Sequence, residues 1–542
     1  MKHRAVRRRS VVWGIGAGAG AVAVGGFALT AQASVGTSTP ASGAGDLAFD
    51  PDGYTTLTTT ITDANGDDHE VTYRFWKAAT YVARPVDETY QSLNVSVPVK
   101  IDGKTVDASR APILFANAVG GYMPSSVADA TGVGGGATGM PGGGGGPSPS
   151  ASASGSGEAS SGGSGTPATR AAMVSLPKLA LAAGYVVVEP GARGRTLKNS
   201  AGEYYGTAPA AIVDLKAAVR YVRANQGRIP GDTDRIVSCG TSAGGALSAL
   251  LGATGDSPLY DTYLKELGAA DASDAVFATG AWCPITDLEH ADGAYEWNWG
   301  GSVAQGTGKV VDQTVSKELV SQFAEYQASL RLRGLNGFGT LSARTYDTYL
   351  LRQYMQPSAT AHLKALSESD RASYLAENTF ITWRNGRATF TWSGFLDHVG
   401  ARKKTTPAFD AFDLSTGENN LFGTGTTEKR HFTAYGLKHD STGGTATRLD
   451  GDIPAKLRLM NPMPFLTGGK PNPHRAKHWW IRLGTKDSDT SHTVSANLAA
   501  AAAALGDEVN HLYYWDEGHG ANTDPGDFIQ WIATITGHRR GR

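Results

Sequence analysis

The pattern of apolar and polar positions opens with a β-hairpin. Residues 55–61 alternate, Asn65-Gly66 supplies a two-residue turn signal, and residues 69–76 follow as the partner strand. Residues 93–99 read as another strand. The run APILFANA at 111–118 is continuously apolar, as a central strand buried on both faces must be, and it ends at Val119-Gly120-Gly121-Tyr122. A helix is expected over 173–183 and a strand over 185–189. Residues 208–225 carry Ile212, Leu215, Val219 and Val222 at helical spacing. Residues 235–239 form a short apolar strand, 246–251 an apolar helix and 275–282 a further strand. Strand-helix alternation of this kind predicts an α/β fold, a mainly parallel sheet wrapped by helices.

The alternation stops near Pro284. Residues 290–455 are aromatic-rich, more polar and helical in pieces such as 314–331, with no run of buried strands. This block reads as an inserted lid domain, dividing the core into 45–289 and 456–542. The core pattern resumes with a strand over 478–483, an alanine-rich helix over 494–505, a strand over 509–515 and a closing helix over 528–535. No repeat of 20–50 residues is evident.

Composition changes the picture at two places. Residues 125–169 are rich in Gly, Ser and Pro and read as a flexible surface insertion; no GK[ST] or GxGxxG context makes them a phosphate loop. Residues 1–33 have a basic start, an uncharged Gly/Ala-rich run and a small-residue cleavage pattern at Ala31-Gln32-Ala33, which together predict an export signal. Arg8-Arg9-Ser10-Val11-Val12 resembles the twin-arginine pattern. The expected localisation is secreted, with no stable membrane span once the signal is removed. A retained anchor is the competing reading. Over 542 residues the net charge is -1, which argues against nucleic acid as a partner. Two cysteines occur, Cys239 and Cys283. Export permits a disulfide between them, and two buried inert thiols are the alternative.

The candidate chemistry centres on Gly240-Thr241-Ser242-Ala243-Gly244, which sits between a strand and a helix as a nucleophile elbow does. A serine hydroxyl needs a base within hydrogen-bond reach and a carboxylate to orient that base. In doubly wound hydrolases these follow the serine in the order acid, then histidine, after later strands. Asp487 and Asp489 follow the 478–483 strand, and Asp487 lies nearer its end. His519, between two glycines, follows the 509–515 strand; of the 13 histidines only the weaker His492 is similarly placed. His511 lies inside a strand and reads as structural. Gly121 and the Ala243 N–H are the candidate oxyanion donors. No metal motif and no cofactor motif occurs.

Several stretches together resemble the bacterial subtype B tannases and their feruloyl-esterase-like relatives. They are PILFANAVGGYMPS (112–125), YVVVEPGARGRTL (185–197), YYGTAPAAIVDLKAAVRYVR (204–223), CGTSAGG (239–245), STGENNLFG (415–423), MNPM (460–463), IRLGTKDSDTS (481–491) and EGHG (517–520). The resemblance implies an α/β-hydrolase fold with a lid inserted before the acid-bearing strand, and hydrolysis of galloyl esters. It assigns the triad to Ser242, Asp487 and His519. It further implies that Lys404, next to Lys403, grips the phenolic hydroxyls together with Glu418 and Asp489. A feruloyl or general carboxylic esterase is the nearer alternative; a non-catalytic binding protein on the same fold is the more distant one. The expected partner is a small phenolic ester.

Overall fold

The computed structural model describes residues 47–135 and 175–538. The expected hairpin is β1 (Thr55–Thr62) and β2 (Asp68–Thr80), antiparallel with Thr62 opposite Asp68. Gly66 takes the positive φ that the tight turn requires. Alternation in β2 does what period two predicts: Val71, Tyr73 and Phe75 are buried while Glu70 and Arg74 are exposed. Next come β3 (Ser92–Ile101), the two-residue β4 (Lys104–Thr105), β5 (Pro112–Ala116), β6 (Val186–Pro190), β7 (Asp232–Thr241) and β8 (Ala278–Trp282). Beyond β8 the chain leaves the main sheet. Until it returns, its strands among the described residues are two small hairpins, β9 (Arg333–Gly334) with β10 (Gly339–Thr340) and β11 (Thr382–Arg384) with β12 (Arg387–Thr389). It then adds β13 (His478–Gly484) and β14 (Glu508–Tyr514).

The sheet has ten strands in the order β1-β2-β3-β6-β5-β7-β8-β13-β14, with β4 on β3. Strands β1 to β3 and their junction with β6 are antiparallel; from β6 to β14 the pairing is parallel. Crossover helices α1 (Leu176–Ala182), α2 (Ala210–Ala224) and α3 (Ala243–Ala253) connect the parallel strands. All five residues of β6 and of β8 are buried, which is why these segments read as continuous apolar runs. The order reverses between β5 and β7, so the loops leaving their C-terminal ends diverge and open a crevice.

The segment between β8 and β13 is mostly helical and shares the core cluster with the sheet, through Tyr346, Tyr349, Phe395 and Phe432 among others. Its interior also holds a bidentate ion pair between Arg402 and Glu296, both fully buried.

The expected insertion at 125–169 begins too early. Ser125 pairs through its backbone with Ala192, Val127, Ala130 and Val133 are buried, and Val133 N–H donates to the Tyr73 hydroxyl at 3.2 Å. These three apolar residues recur every third position and anchor the segment, and averaged composition hides them. The rest of that tract, from 136, and the export signal at 1–33 lie outside the described residues. No helix among the described residues is long and apolar enough to cross a membrane.

Candidate active site

Ser242 sits at the junction of β7 and α3 with φ 59° and ψ −122°, a conformation L-residues seldom occupy. The neighbouring glycines explain how the turn closes. A Cβ on Gly240 would lie 2.4 Å from the Gly244 carbonyl oxygen, and one on Gly244 would lie 2.7 Å from the Val119 carbonyl oxygen. The Ser242 N–H is spent on the Trp282 carbonyl at 2.9 Å. Ala243 opens α3, so its N–H has no acceptor inside the helix and is free for a ligand oxygen.

The other two residues arrive from β13 and β14. The Ser242 hydroxyl is 2.8 Å from His519 Nε2, and His519 Nδ1–H donates to Asp487 Oδ2 at 2.8 Å. This places the proton on Nδ1 and leaves the Nε2 lone pair for the serine. Asp487 is fully buried, and its other oxygen accepts the Asp489 N–H at 2.9 Å. Burial alone would push the His519 imidazole down, but the Asp487 carboxylate and the Cys283 sulfur outweigh it and hold it above its ordinary value. His492, the weaker candidate, is buried at the start of the helix His492–Ala504 and bonds Asn298 and the Thr485 carbonyl; burial pushes it down to about 4. His511 bonds the Tyr354 hydroxyl inside β14. Both are structural.

Gly121 lies in the turn leaving β5, beside the elbow. Asn117 Nδ2 reaches the Gly244 carbonyl at 3.1 Å and Ser248 Oγ at 3.0 Å, tying this loop to the start of α3. The Met123 N–H closes a turn onto the Gly120 carbonyl, and both central residues, Gly121 and Tyr122, have φ 56°. For Tyr122 a left-handed backbone costs roughly 1–2 kcal/mol, so something must hold it. Arg195 does: its N–H donates to the Tyr122 carbonyl and its Nε to the Gly121 carbonyl, each at 2.9 Å. Its Nη1 extends to Asn420 Oδ1 at 2.8 Å, in the helix Gly417–Leu421 that carries Glu418. Its own loop is pinned by a salt bridge from Arg193 to the fully buried Asp214 of α2. Sequence reading missed Arg195. The only signal was the GARGRTL stretch, whose second arginine had no visible partner.

The proposed phenol-binding residues divide. Asp489 lies against the site, 4.0 Å from His519 Nδ1. Its lysine partner is Lys403, with Nζ at 2.8 and 2.9 Å from the two carboxylate oxygens. The ammonium of Lys404, the expected residue, lies over the Phe409 ring, 3.7 Å from the centroid. The Lys404 backbone N–H donates to the Tyr295 hydroxyl at 3.0 Å, and the Lys403 side chain is 54% exposed. Glu418 is half-buried near the Gly120–Met123 turn: after burial itself, its charge is what pushes the Tyr122 phenol up, and it opposes the downward effect of burial on Arg195.

Both cysteines are buried and free. Burial pushes the Cys239 thiol up to about 12, which makes it inert. Cys283 lies at the end of β8 with Sγ 3.8 Å from His519 Nε2.

A mainly parallel sheet with a strained serine at the end of a central strand, and an acid and a histidine delivered by the last two strands, defines an α/β-hydrolase. The BD-FAE family pattern matches residues 163–324. A 68-residue stretch is 44% identical to esterase LipC of Mycobacterium tuberculosis; it spans 12% of this chain and only 17% of that protein's length. Solved structures match far more of the chain. The tannase of Fusobacterium nucleatum is 34% identical, with a TM-score of 0.73, covering 91% of this chain and 99% of its own. The tannin acyl hydrolase of Lactobacillus plantarum is 34% identical, with a TM-score of 0.71, covering 90% and 99%. A tannin acyl hydrolase in complex with ethyl gallate is 33% identical, with a TM-score of 0.72 and the same coverage. The chain belongs to the bacterial tannases, a family of ester hydrolases.

Proposed function

We propose that this chain is an exported serine esterase that cleaves galloyl or closely related polyhydroxy-aromatic esters. The observation that carries the reading is the unbroken chain from Ser242 Oγ through the His519 ring to the buried Asp487 carboxylate, with 2.8 Å at each link. Ser242 attacks the ester carbonyl carbon as His519 Nε2 takes its proton. Asp487 steadies the imidazolium. The Ala243 N–H and the turn at Gly121 receive the negative oxygen. His519 returns the proton to the departing alcohol, and water then cleaves the acyl-serine by the same base.

The choice of acyl group rests on Asp489, Lys403 and Glu418. Ring hydroxyls are donors, and carboxylates that accept from them strongly disfavour an acyl ring that lacks them. Such carboxylates, with a lysine beside one of them, suit gallate better than a methoxylated ring. Export rests on residues 1–33.

Purified protein should turn over methyl gallate well ahead of ethyl ferulate and of a short-chain nitrophenyl ester. Similar rates on all three would remove the case for a phenol grip while leaving the esterase reading intact. Fluorophosphonate labelling that survives Ser242→Ala would remove the serine mechanism itself.

A further inference from the structure

One buried side chain touches both of the segments that carry Asp489 and Lys403, yet takes no part in the serine mechanism. The helix Leu288–Trp299 presents Asp292, Tyr295, Glu296 and Trp299 on one face, at the i, i+3, i+4, i+7 spacing. Each of them holds a segment of the site. Asp292 accepts the Phe409 N–H at 2.7 Å, Glu296 accepts from Arg402 Nη1 at 2.9 Å, and the Trp299 indole N–H donates to the Thr490 carbonyl at 2.8 Å. The Tyr295 side chain alone of the four reaches both segments, and it does so through one oxygen atom. Its hydroxyl donates to the Ser488 carbonyl at 2.7 Å and accepts the Lys404 N–H at 3.0 Å. Those partners lie 193 and 109 positions away, so no spacing motif announces the contact.

The identity of the acceptor matters. The Ser488 carbonyl belongs to the same planar peptide unit as the Asp489 N–H, which donates to the Asp487 carboxylate at 2.9 Å. The Tyr295 hydroxyl therefore holds one edge of a rigid group whose other edge serves the triad acid and whose next atom bears the Asp489 side chain. From there the connections close into a ring. The Asp489 carboxylate pairs with Lys403 Nζ at 2.8 Å, Lys403 is bonded to Lys404, and the Lys404 N–H returns to the Tyr295 oxygen. A hydroxyl suits the closing position because it donates and accepts at a single atom. Tyr295 is fully buried, and burial pushes its phenol up to about 12, so its hydrogen stays in place through the neutral range. The ring is seated separately, with the Arg402 guanidinium 4.8 Å from its centroid and the Phe409 ring edge-on at 6.1 Å.

We propose that Tyr295 is a positioning residue for acyl selection: its hydroxyl sets the Asp489–Lys403 pair at the spacing a polyhydroxy-aromatic ring requires. This rests on Asp489 and Lys403 as the phenol grip proposed above. The bond from His519 to Asp487 does not pass through the hydroxyl. Its loss is therefore felt in recognition of the ring hydroxyls more than in cleavage of the ester bond.

Tyr295→Phe removes one oxygen and keeps the ring. KM for methyl gallate should rise about tenfold, whereas kcat/KM on a short-chain nitrophenyl ester, whose acyl group has no ring hydroxyl, should fall less than about threefold. Added to Lys403→Ala, the same substitution should raise KM less than about twofold further, because both act on one pair. Reductive methylation by formaldehyde and cyanoborohydride reads the clamp without turnover. Modification of Lys403, located by tandem mass spectrometry, should quicken several-fold in Tyr295→Phe and by a similar factor in Asp489→Asn. In a wild type that prefers methyl gallate, an equal fall on both esters, an unchanged gallate KM or multiplicative effects with Lys403→Ala each overturns the proposal. Unchanged Lys403 modification in Tyr295→Phe overturns it whatever the kinetics. A wild type without that preference, in which Lys403 modification still responds, overturns the phenol grip and leaves the hold of the hydroxyl on the pair standing.

Discussion

At the scale of single residues, the hydrogen-bond direction at His519 decides what the site can do. With Nδ1–H committed to Asp487, only Nε2 can act as base. Ser242→Ala should lower kcat/KM on a phenolic ester by at least about 10³-fold, and Asp487→Asn by roughly 10³- to 10⁴-fold, since the amide favours the wrong tautomer. The raised imidazole has a signed consequence. The base works only when neutral, so kcat/KM should rise with pH and its acid limb should lie above about 6.5, the ordinary histidine value. Removing the Asp487 charge should move that limb downward. A limb at or below 6.5 in the wild type would contradict the coupling. The two adjacent lysines give a sharper comparison. Lys403→Ala removes the partner of Asp489 and should raise KM for methyl gallate about tenfold with little change on a simple nitrophenyl ester. Lys404→Ala removes a cation from the Phe409 ring and should leave the ratio of the two substrates unchanged.

At the scale of elements, the Gly120–Met123 turn, proposed above to receive the oxyanion, shows how a strained loop is kept in place. Gly121 and Tyr122 are held by one residue, Arg195, which is itself tied to the helix bearing Glu418. Arg195→Ala should therefore cut kcat by about 10- to 100-fold with a smaller change in KM, because the donors it aligns act on the transition state. Arg195→Lys should recover part of the loss; an unchanged kcat in Arg195→Ala would show that the turn holds itself. This clamp also marks where sequence reading stops. Gly240, Ser242 and Gly244 were legible because steric rules tie that spacing to one turn. Asp487 and His519 were legible because each follows a recognisable late strand. Arg195 was not, since its partners are backbone carbonyls, which leave no trace in composition. The pairing of Lys403 with Asp489 was not legible either, because the two lie 86 positions apart and side-chain direction in an irregular loop leaves no pattern.

At the scale of the whole molecule, the segment between β8 and β13 bonds the loop that carries His519. Asp516, three residues before His519, accepts from the Tyr374 hydroxyl, from His398 Nε2 at 2.5 Å and from Lys486 at 3.1 Å. Burial alone would raise its carboxyl, yet these partners hold it down at about 2. A depressed carboxylate stabilises the fold above its unfolded value and loses that contribution as pH falls toward 2. The low-complexity tract bears on stability in a different way. Its two described flanks meet: a Cβ on Gly134 would lie 2.7 Å from Ser175 Oγ, and the Gly134 N–H bonds the buried Glu189 carboxylate. Residues 136–174 therefore leave and re-enter the fold at nearly one point. Closing a loop costs free energy that grows with the logarithm of its length, and a tenfold shortening recovers about 2 kcal/mol. Replacing 137–173 by a Gly/Ser linker of a few residues should raise the denaturant midpoint and leave kcat on methyl gallate within about twofold. A large fall in kcat with unchanged stability would instead assign the tract a part in the reaction.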